Sequence, residues 1–524
     1  MVDLPHDIWE VISQHIPRKE LLNLAAVNRP FYNIVLNTRY KEIWWVKLDE
    51  SMVEYLRRLQ DPAVARRVRR LHIRAWFIDF LLKREVLLKA SKKKFEPIVW
   101  VKTLLNLNIP DAVPDPPIRN SPSILLEHRL GTMFSPGEIM RAMIKAISGM
   151  VNVMEYDFEW RDLPMNEDTQ IFLMAARNTF ATGLCKLVLS AQISKLVQLL
   201  TMTDFERLEE IEFSFEYTPL EASGGTTPKY ILLAENLDRD LLAVQVASFI
   251  NRLSSSLRCL TISSLAQCDH SPFFQCLTFL PALRYLAIRM AFDMGHLMNP
   301  AGFFRFLITQ ASTLFTLELR PDRPPSKNHM LAQYRQDLVE VVLRANLESL
   351  TIPSFDQQIA VSLIDKSIAS LTSLSLLHRF LNVTEVAEIV NMFSTAGRAH
   401  NLIRLSLEVK SMSPRLMNVL SVGLPALASL TLVIEDESHF GSQLVEPPGI
   451  YTYRTLVDWR LLDISIYIRS QRPDSIEVIP WTRMENRMML HLSFIMRSIR
   501  YFRGQDPRIV VDFMRRQPTP SILL

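Results

Sequence analysis

The chain has 524 residues, 48% hydrophobic and 22% charged, a balance that suits a folded protein with a large core and excludes a disordered or fibrous one. Lys and Arg number 59 against 55 Asp and Glu, a net charge of +4, too small for the whole chain to act as a polycation on nucleic acid. Four cysteines cannot staple a chain this long, so reduced thiols and a cytoplasmic or nuclear location are expected.

Met1 to Glu10 carries Asp3, Asp7 and Glu10 and lacks the basic-then-apolar order of a secretory signal. Even the apolar run Leu241–Ile250 is bracketed by Asp238, Arg239, Asp240 and Arg252, so a soluble protein with no membrane span is expected.

From Leu4, three apolar stripes recur at helical spacing. The first combines Ile8, Ile12 and His15 or Ile16, with Asp7 in its opening turn and Pro17 as its end. The second combines Leu21, Leu22, Leu24, Ala25 and Val27, and the third starts near Pro30 and runs through Phe31, Ile34 and Val35. A bundle this small cannot bury every apolar side chain internally, so some should seek a partner surface.

The order Leu4-Pro5, Ile8, Ile12, Ile16-Pro17, Leu21-Leu22, Leu24, Val27, Phe31 and Trp44 resembles the F-box, and VNRPFYNIVLNTRY is most similar to fungal F-box proteins. The resemblance implies docking on the Skp-type adaptor of SCF ligases, and through it on a cullin and the ubiquitin-conjugating machinery. Leu4, Pro5, Ile8, Pro17, Leu21 and Leu24 match positions that face the adaptor, and Ile12, Val27, Phe31 and Val35 match the motif's own packing. The alternative is that all of them are core. Trp9 and Asn28 stand where the family varies.

Beyond the motif, the pattern apolar-x-x-apolar-x-apolar repeats. It appears as LCKLVL from Leu184, LEEIEF from Leu208, LRCLTI from Leu257, LRYLAI from Leu283 and LFTLEL from Leu314. It recurs as LESLTI from Leu347, LTSLSL from Leu371, LIRLSL from Leu402 and LASLTL from Leu427, with weaker copies VRRLHI from Val68, VNVMEY from Val151 and LVDWRL from Leu456. From Leu257 onward the copies start 24 to 33 residues apart, near the period of leucine-rich repeats. Segments of helical spacing lie between them: Asp238–Leu253, Ala301–Ala311, Met330–Ala345 and Thr384–Ser394.

The expected fold is therefore α/β: an N-terminal three-helix F-box at 1–48, a linking helical region with the first irregular repeats at 49–150, a leucine-rich-repeat-like α/β solenoid at 151–505, and a loosely ordered tail at 506–524. A doubly wound sheet would want longer apolar strands and a glycine-rich phosphate loop, which 13 glycines do not supply. Ala291, Asp322, Phe355, Arg379 and Lys410 stand where regular repeats place asparagine, so an uneven arc is expected. Pro110–Pro122, Pro219–Pro228, Arg320–Lys327 and Gly441–Gly449 read as loops.

Residues with reactive side chains form no convincing catalytic set. Cys259, Cys268, His270 and Cys276 have intervals that match no common zinc pattern. Gly224–Thr227 lacks the lysine and helix of a phosphate loop, and Glu435, Asp436, Glu437 and His439 read as solvated charge. The basic run Arg57, Arg58, Arg66, Arg67, Arg69, Arg70 and Lys92–Lys94 lacks the interleaved aromatics of a base-stacking surface. No catalytic residue, metal or cofactor is expected, nor a membrane or nucleic acid as partner.

Strand alternation sends the residues between the repeat apolars to the open sheet face. Hydroxyls dominate that face, and Tyr285, Arg289, Arg320 and Arg404 stand out as candidates for gripping an acidic or phosphorylated segment of an unknown protein substrate. Ser and Thr also simply suit a solvated strand face. The expected function is the substrate-recognition subunit of an SCF-type ligase, and the alternative is a non-catalytic scaffold that binds the adaptor without ubiquitin transfer.

Overall fold

Prolines and an asparagine punctuate the N-terminal helices. The structure, a computed structural model, describes residues 4–74, 136–160, 167–201, 205, 207–216, 236–266, 268–321, 335–353, 357–395, 401–435, 459–468, 496 and 498–502. Helix α1 (His6–Gln14) has Asp7 in its first turn, and Pro17 caps α2 (Arg18–Asn23). A 3-10 turn, Leu24–Ala26, leads to α3 (Arg29–Tyr40). The Asn28 side chain accepts from the Phe31 amide at 2.8 Å, and Pro30 takes an early position where no amide donor is needed. Leu21, Phe31, Ile34 and Val35 form the core between these helices, with Trp9 edge-on to Phe31 at 5.0 Å.

The chain divides into two units, Met1–Leu257 and Arg258–Leu524. In the first, β1 (Glu42–Trp45), β2 (Arg70–Arg74), β3 (Glu155–Glu159), β4 (Lys186–Ala191) and β5 (Glu210–Phe215) pair in chain order, every pair parallel. In the second the same holds for β6 (Cys259–Ser264), β7 (Tyr285–Arg289), β8 (Thr316–Arg320), β9 (Ser349–Pro353) and β10 (Ser373–Leu381). It continues through β11 (Arg404–Val409), β12 (Ser429–Ile434), β13 (Asp463–Ile468) and β14 (Tyr501–Phe502). Parallel neighbours need a crossover. Helices supply it: Pro136–Gly149, Glu167–Phe180 and Ile193–Thr201 in the first unit, and Ala301–Gln310, Arg335–Arg344, Gln357–Ser367, Val383–Thr395 and Pro414–Gly423 in the second.

The repeated pattern has a division of labour. Its first leucine, at 184, 208, 257, 283, 314, 347, 371, 402 and 427, lies two residues before a strand and is at most 1% exposed. The next two apolar residues fall on alternate strand positions and point into the core, as Leu187 and Leu189 do in β4. At each strand entry one carbonyl accepts two consecutive amides of the next repeat. That of Lys41 takes Arg69 and Arg70, that of Arg69 takes Met154 and Glu155, and that of Met154 takes Cys185 and Lys186. The same step runs from Arg258 to Arg500 in the second unit. It satisfies the backbone there and aligns each strand with its neighbour.

Several sequence expectations need correction. VNVMEY is two residues out of frame: Val151 and Met154 are about half exposed, and the buried set is Val153, Tyr156 and Phe158. LVDWRL is five residues early, since β13 uses Leu461, Ile464 and Ile466. A copy also went unread, Tyr40, Ile43 and Trp45, all at most 3% exposed, which carries β1. The helix expected at Asp238–Leu253 spans 236–252 and contains a π-helical turn at Leu242–Val246. Pro110–Pro122, Pro219–Pro228, Gly224–Thr227, Gly441–Gly449, Lys92–Lys94 and the tail lie outside the described residues, and of Arg320–Lys327 only Arg320 and Pro321 are described.

Candidate functional site

Helix α1 carries two apolar faces. Trp9, Ile12 and Ile16 pack on the core of the three helices, while Leu4 (37% exposed), Ile8 (45%) and Val11 (51%) form a second stripe that faces out. Leu22, Val27 and Tyr32 are also exposed on this bundle. Of the residues expected to face an adaptor, Leu4, Pro5, Ile8 and Pro17 are at the surface. Leu24 is half-buried against the core, and Leu21, 5% exposed, belongs to the core itself. Val27, expected to pack internally, is 62% exposed because the 3-10 turn ahead of it rotates it outward. Val11 and Tyr32 were missed; for Val11 the offset of three residues from Ile8 was the available signal.

The bundle is tied to the first repeat. The Arg67 guanidinium donates to the Asn33 carbonyl at 3.3 Å, to the Asn33 side-chain oxygen at 3.1 Å and to the Asn37 side chain, so one cation holds the outer turn of α3. Other members of the basic run are also paired locally. Arg57 and Arg58 meet Glu54, Arg70 meets Glu155 at 2.9 Å, and Arg69 donates to the Asn152 carbonyl.

Among the substrate candidates, the register makes Arg289 and Arg320 direct neighbours on β7 and β8. Glu318 sits diagonally between the rows. It accepts from Arg289 Nε at 2.9 Å and from the Tyr285 hydroxyl at 3.1 Å. Burial, with the Glu318 carboxylate next in importance, pushes the Tyr285 phenol up to about 12. Arg320 and Arg404 are exposed. Arg404 lies on β11, three strand spacings from β8, about 14 Å away. The structure therefore brings Tyr285, Arg289 and Arg320 together and leaves Arg404 apart. Glu408, which strand alternation after Arg404 and Ser406 would place on the open face, is buried at 1%.

Cys268 and His270 lie in the loop after β6, whereas Cys259 is in β6 and Cys276 is exposed at the end of the helix Ser271–Cys276. His270 Nε2 lies 2.8 Å from the Ser264 hydroxyl and Nδ1 lies 2.7 Å from the Cys268 carbonyl, so the neutral ring donates at Nδ1 and accepts at Nε2. Complete burial pushes its pKa down to about 4, opposed by the bond to Cys268. Among the described residues, no group of three or more His, Cys, Asp or Glu could hold a metal ion, and no helix is long and apolar enough to cross a membrane.

Residues 1–42 match the family model of the F-box domain. No curated protein matches the chain.

Proposed function

We propose that this chain, which carries an F-box domain at residues 1–42, is the substrate-recognition subunit of an SCF-type cullin ubiquitin ligase. The observation that carries the reading is the domain match, together with the outward apolar residues Ile8 and Val11 on its first helix and Leu4 just before it. Side chains of that kind, exposed in a bundle this small, are stabilised by covering them with a partner. On this reading Leu4, Pro5, Ile8 and Pro17 contact a Skp-type adaptor, Leu24 lines the edge of the contact, and Leu21 supports it from within.

The strand–helix array then serves as a leucine-rich-repeat-like solenoid that presents a protein substrate, with Tyr285, Arg289, Arg320 and Arg404 as the residues that grip it and no catalytic role for the chain itself. The cytoplasm or nucleus is its place of action. Co-purification tests the proposal. Recovery of adaptor together with cullin supports it; adaptor without cullin favours a scaffold that takes no part in ubiquitin transfer; recovery of neither overturns it.

A further inference from the structure

In the first unit, the sheet face opposite the buried leucines is organised in rows. Glu42, Arg70, Glu155, Lys186 and Glu210 are register partners across β1 to β5 and alternate in sign along the row. Arg70 meets Glu155 at 2.9 Å and Lys186 meets Glu210 at 3.4 Å. The next row runs Trp44, His72, Asp157, Val188 and Glu212. In the third, Arg74 meets Glu159 at 3.1 Å. Six carboxylates, Glu42, Glu155, Asp157, Glu159, Glu210 and Glu212, thus stand against the cations Arg70, Arg74 and Lys186. Among its described residues the face carries an excess of negative charge, in a chain whose net charge is +4. The carboxylates of Glu42, Asp157 and Glu210 keep 37–44% of their side-chain surface in solvent.

Trp44 begins the second row. Its indole lies flat on the His72 ring, with centroids 3.9 Å apart and planes 8° from parallel, and its N–H donates to Glu42 at 2.9 Å. Despite these contacts it remains 53% exposed. An indole held in place this way, with carboxylates beside it, attracts cations through both its ring face and its surroundings. Rows of carboxylates at strand spacing extend that attraction across the sheet.

We propose that this face, anchored at Trp44 and continued by Asp157, Glu210 and Glu212, binds a Lys- and Arg-rich segment of a partner protein. One cationic side chain stacks on the exposed part of the indole, and those that follow meet the carboxylates. Among the described residues the second unit's rows differ: they hold Tyr285, Thr316, Ser349, Ser373 and Arg404, then Ala287, Glu318, Thr351 and Ser375, with Glu318 the one carboxylate among them. The inference concerns the first unit alone and stands whether or not ubiquitin is transferred.

Fluorescence anisotropy with the full chain tests it, using a labelled peptide of alternating Arg and Ser and a matching peptide of Glu and Ser. The Arg peptide should bind at low salt, weaken as salt rises, and outcompete the Glu peptide. Trp44→Ala, and separately the pair Asp157→Asn with Glu210→Gln, should each weaken it about tenfold or more, Trp44→Phe should restore part of the loss, and Ser375→Ala in the second unit should leave it unchanged. The carboxylate pair carries the test if Trp44→Ala does not fold. Equal binding of the two peptides, no binding of the Arg peptide, or binding indifferent to both sets of substitutions overturns the proposal.

Discussion

Trp44 and Trp45 are adjacent in the chain and lie on opposite faces of β1: the first is 53% exposed, the second fully buried. Period-two alternation separates them. Trp45→Ala opens a cavity in the core and should cost about 3–5 kcal/mol, whereas Trp44→Ala should cost about 1 kcal/mol or less. The Trp45 indole N–H is buried without a hydrogen-bond partner among the described residues, so Trp45→Phe removes an unmet donor and should cost less than its lost volume suggests. Urea denaturation of the three variants checks the order, and any other ranking contradicts the alternation.

Replacing Leu4 and Pro5 together with Ala should abolish adaptor capture and leave the circular dichroism spectrum unchanged, because both residues are exposed. Leu21→Ala should behave differently. It removes a core side chain, with an expected loss of about 2–5 kcal/mol, and lowers adaptor capture only through unfolding. Pull-down and thermal melting on the same samples separate the two; undiminished capture by the double variant sinks the docking assignment.

Acid should destabilise the second unit through His270. Its folded pKa, pushed down to about 4 by burial, lies below the ordinary value of 6.5. His296 adds to the lowering and Asp269 opposes it. The unfolded chain therefore binds a proton before the folded one does. The stabilisation is fully present above pH 6.5 and is lost as pH falls toward 4, by an amount on the order of 3 kcal/mol. In His270→Gln the pH dependence of the denaturation midpoint should flatten across that window, and an unaltered slope would assign the effect to other groups.

Helix Ala301–Gln310 approaches the short helix Ser271–Cys276 at Gly302. A Cβ added there would clash with the Gln275 side-chain Cγ and lie 3.2 Å from its backbone nitrogen. The backbone cannot rotate out of the way as a side chain could. Gly302→Ala should therefore lower stability by about 1–3 kcal/mol despite alanine's better helix propensity, measured as a fall in the melting temperature.

On the substrate side, Arg320→Glu should weaken capture of the physiological substrate by about 1.4 kcal/mol, a tenfold loss, without changing adaptor binding. Arg289→Glu should lose capture too, but it also sets a second carboxylate beside Glu318, now the partner of Arg289 at 2.9 Å, and should lower stability as well. Titrated affinity capture checks both. Unchanged capture by Arg320→Glu would move the contact elsewhere.

The strand positions were legible because the repeating leucines make one kind of contact each time. Where two apolar frames overlap, the pattern misleads: Val151, Met154 and Tyr156 read as well as Val153, Tyr156 and Phe158, and only in-register pairing of β3 with Leu71 and Ile73 and with Leu187 and Leu189 selects the second. Val27 shows the same limit in the helical bundle. Helical spacing makes it a core candidate, and a single 3-10 turn is enough to expose it.

What the sequence by itself determined is the local grammar: Asp7 in the opening turn of α1, Pro30 in that of α3, the buried first leucine of each repeat from Leu184 to Leu427, and the alternation that turns Tyr285 and Arg289 away from it, since these depend on spacing within one element. What only the tertiary structure decided is which side chains meet. Arg289 lies beside Arg320 and bonds Glu318, His270 joins Ser264 to the Cys268 carbonyl, and Glu42, Arg70, Glu155, Lys186 and Glu210 line up across five strands. In the sheet rows the partners are separated by whole repeats of unequal length. Their meeting is set by parallel strand register, a hydrogen-bonding relation between segments that no spacing within one segment encodes.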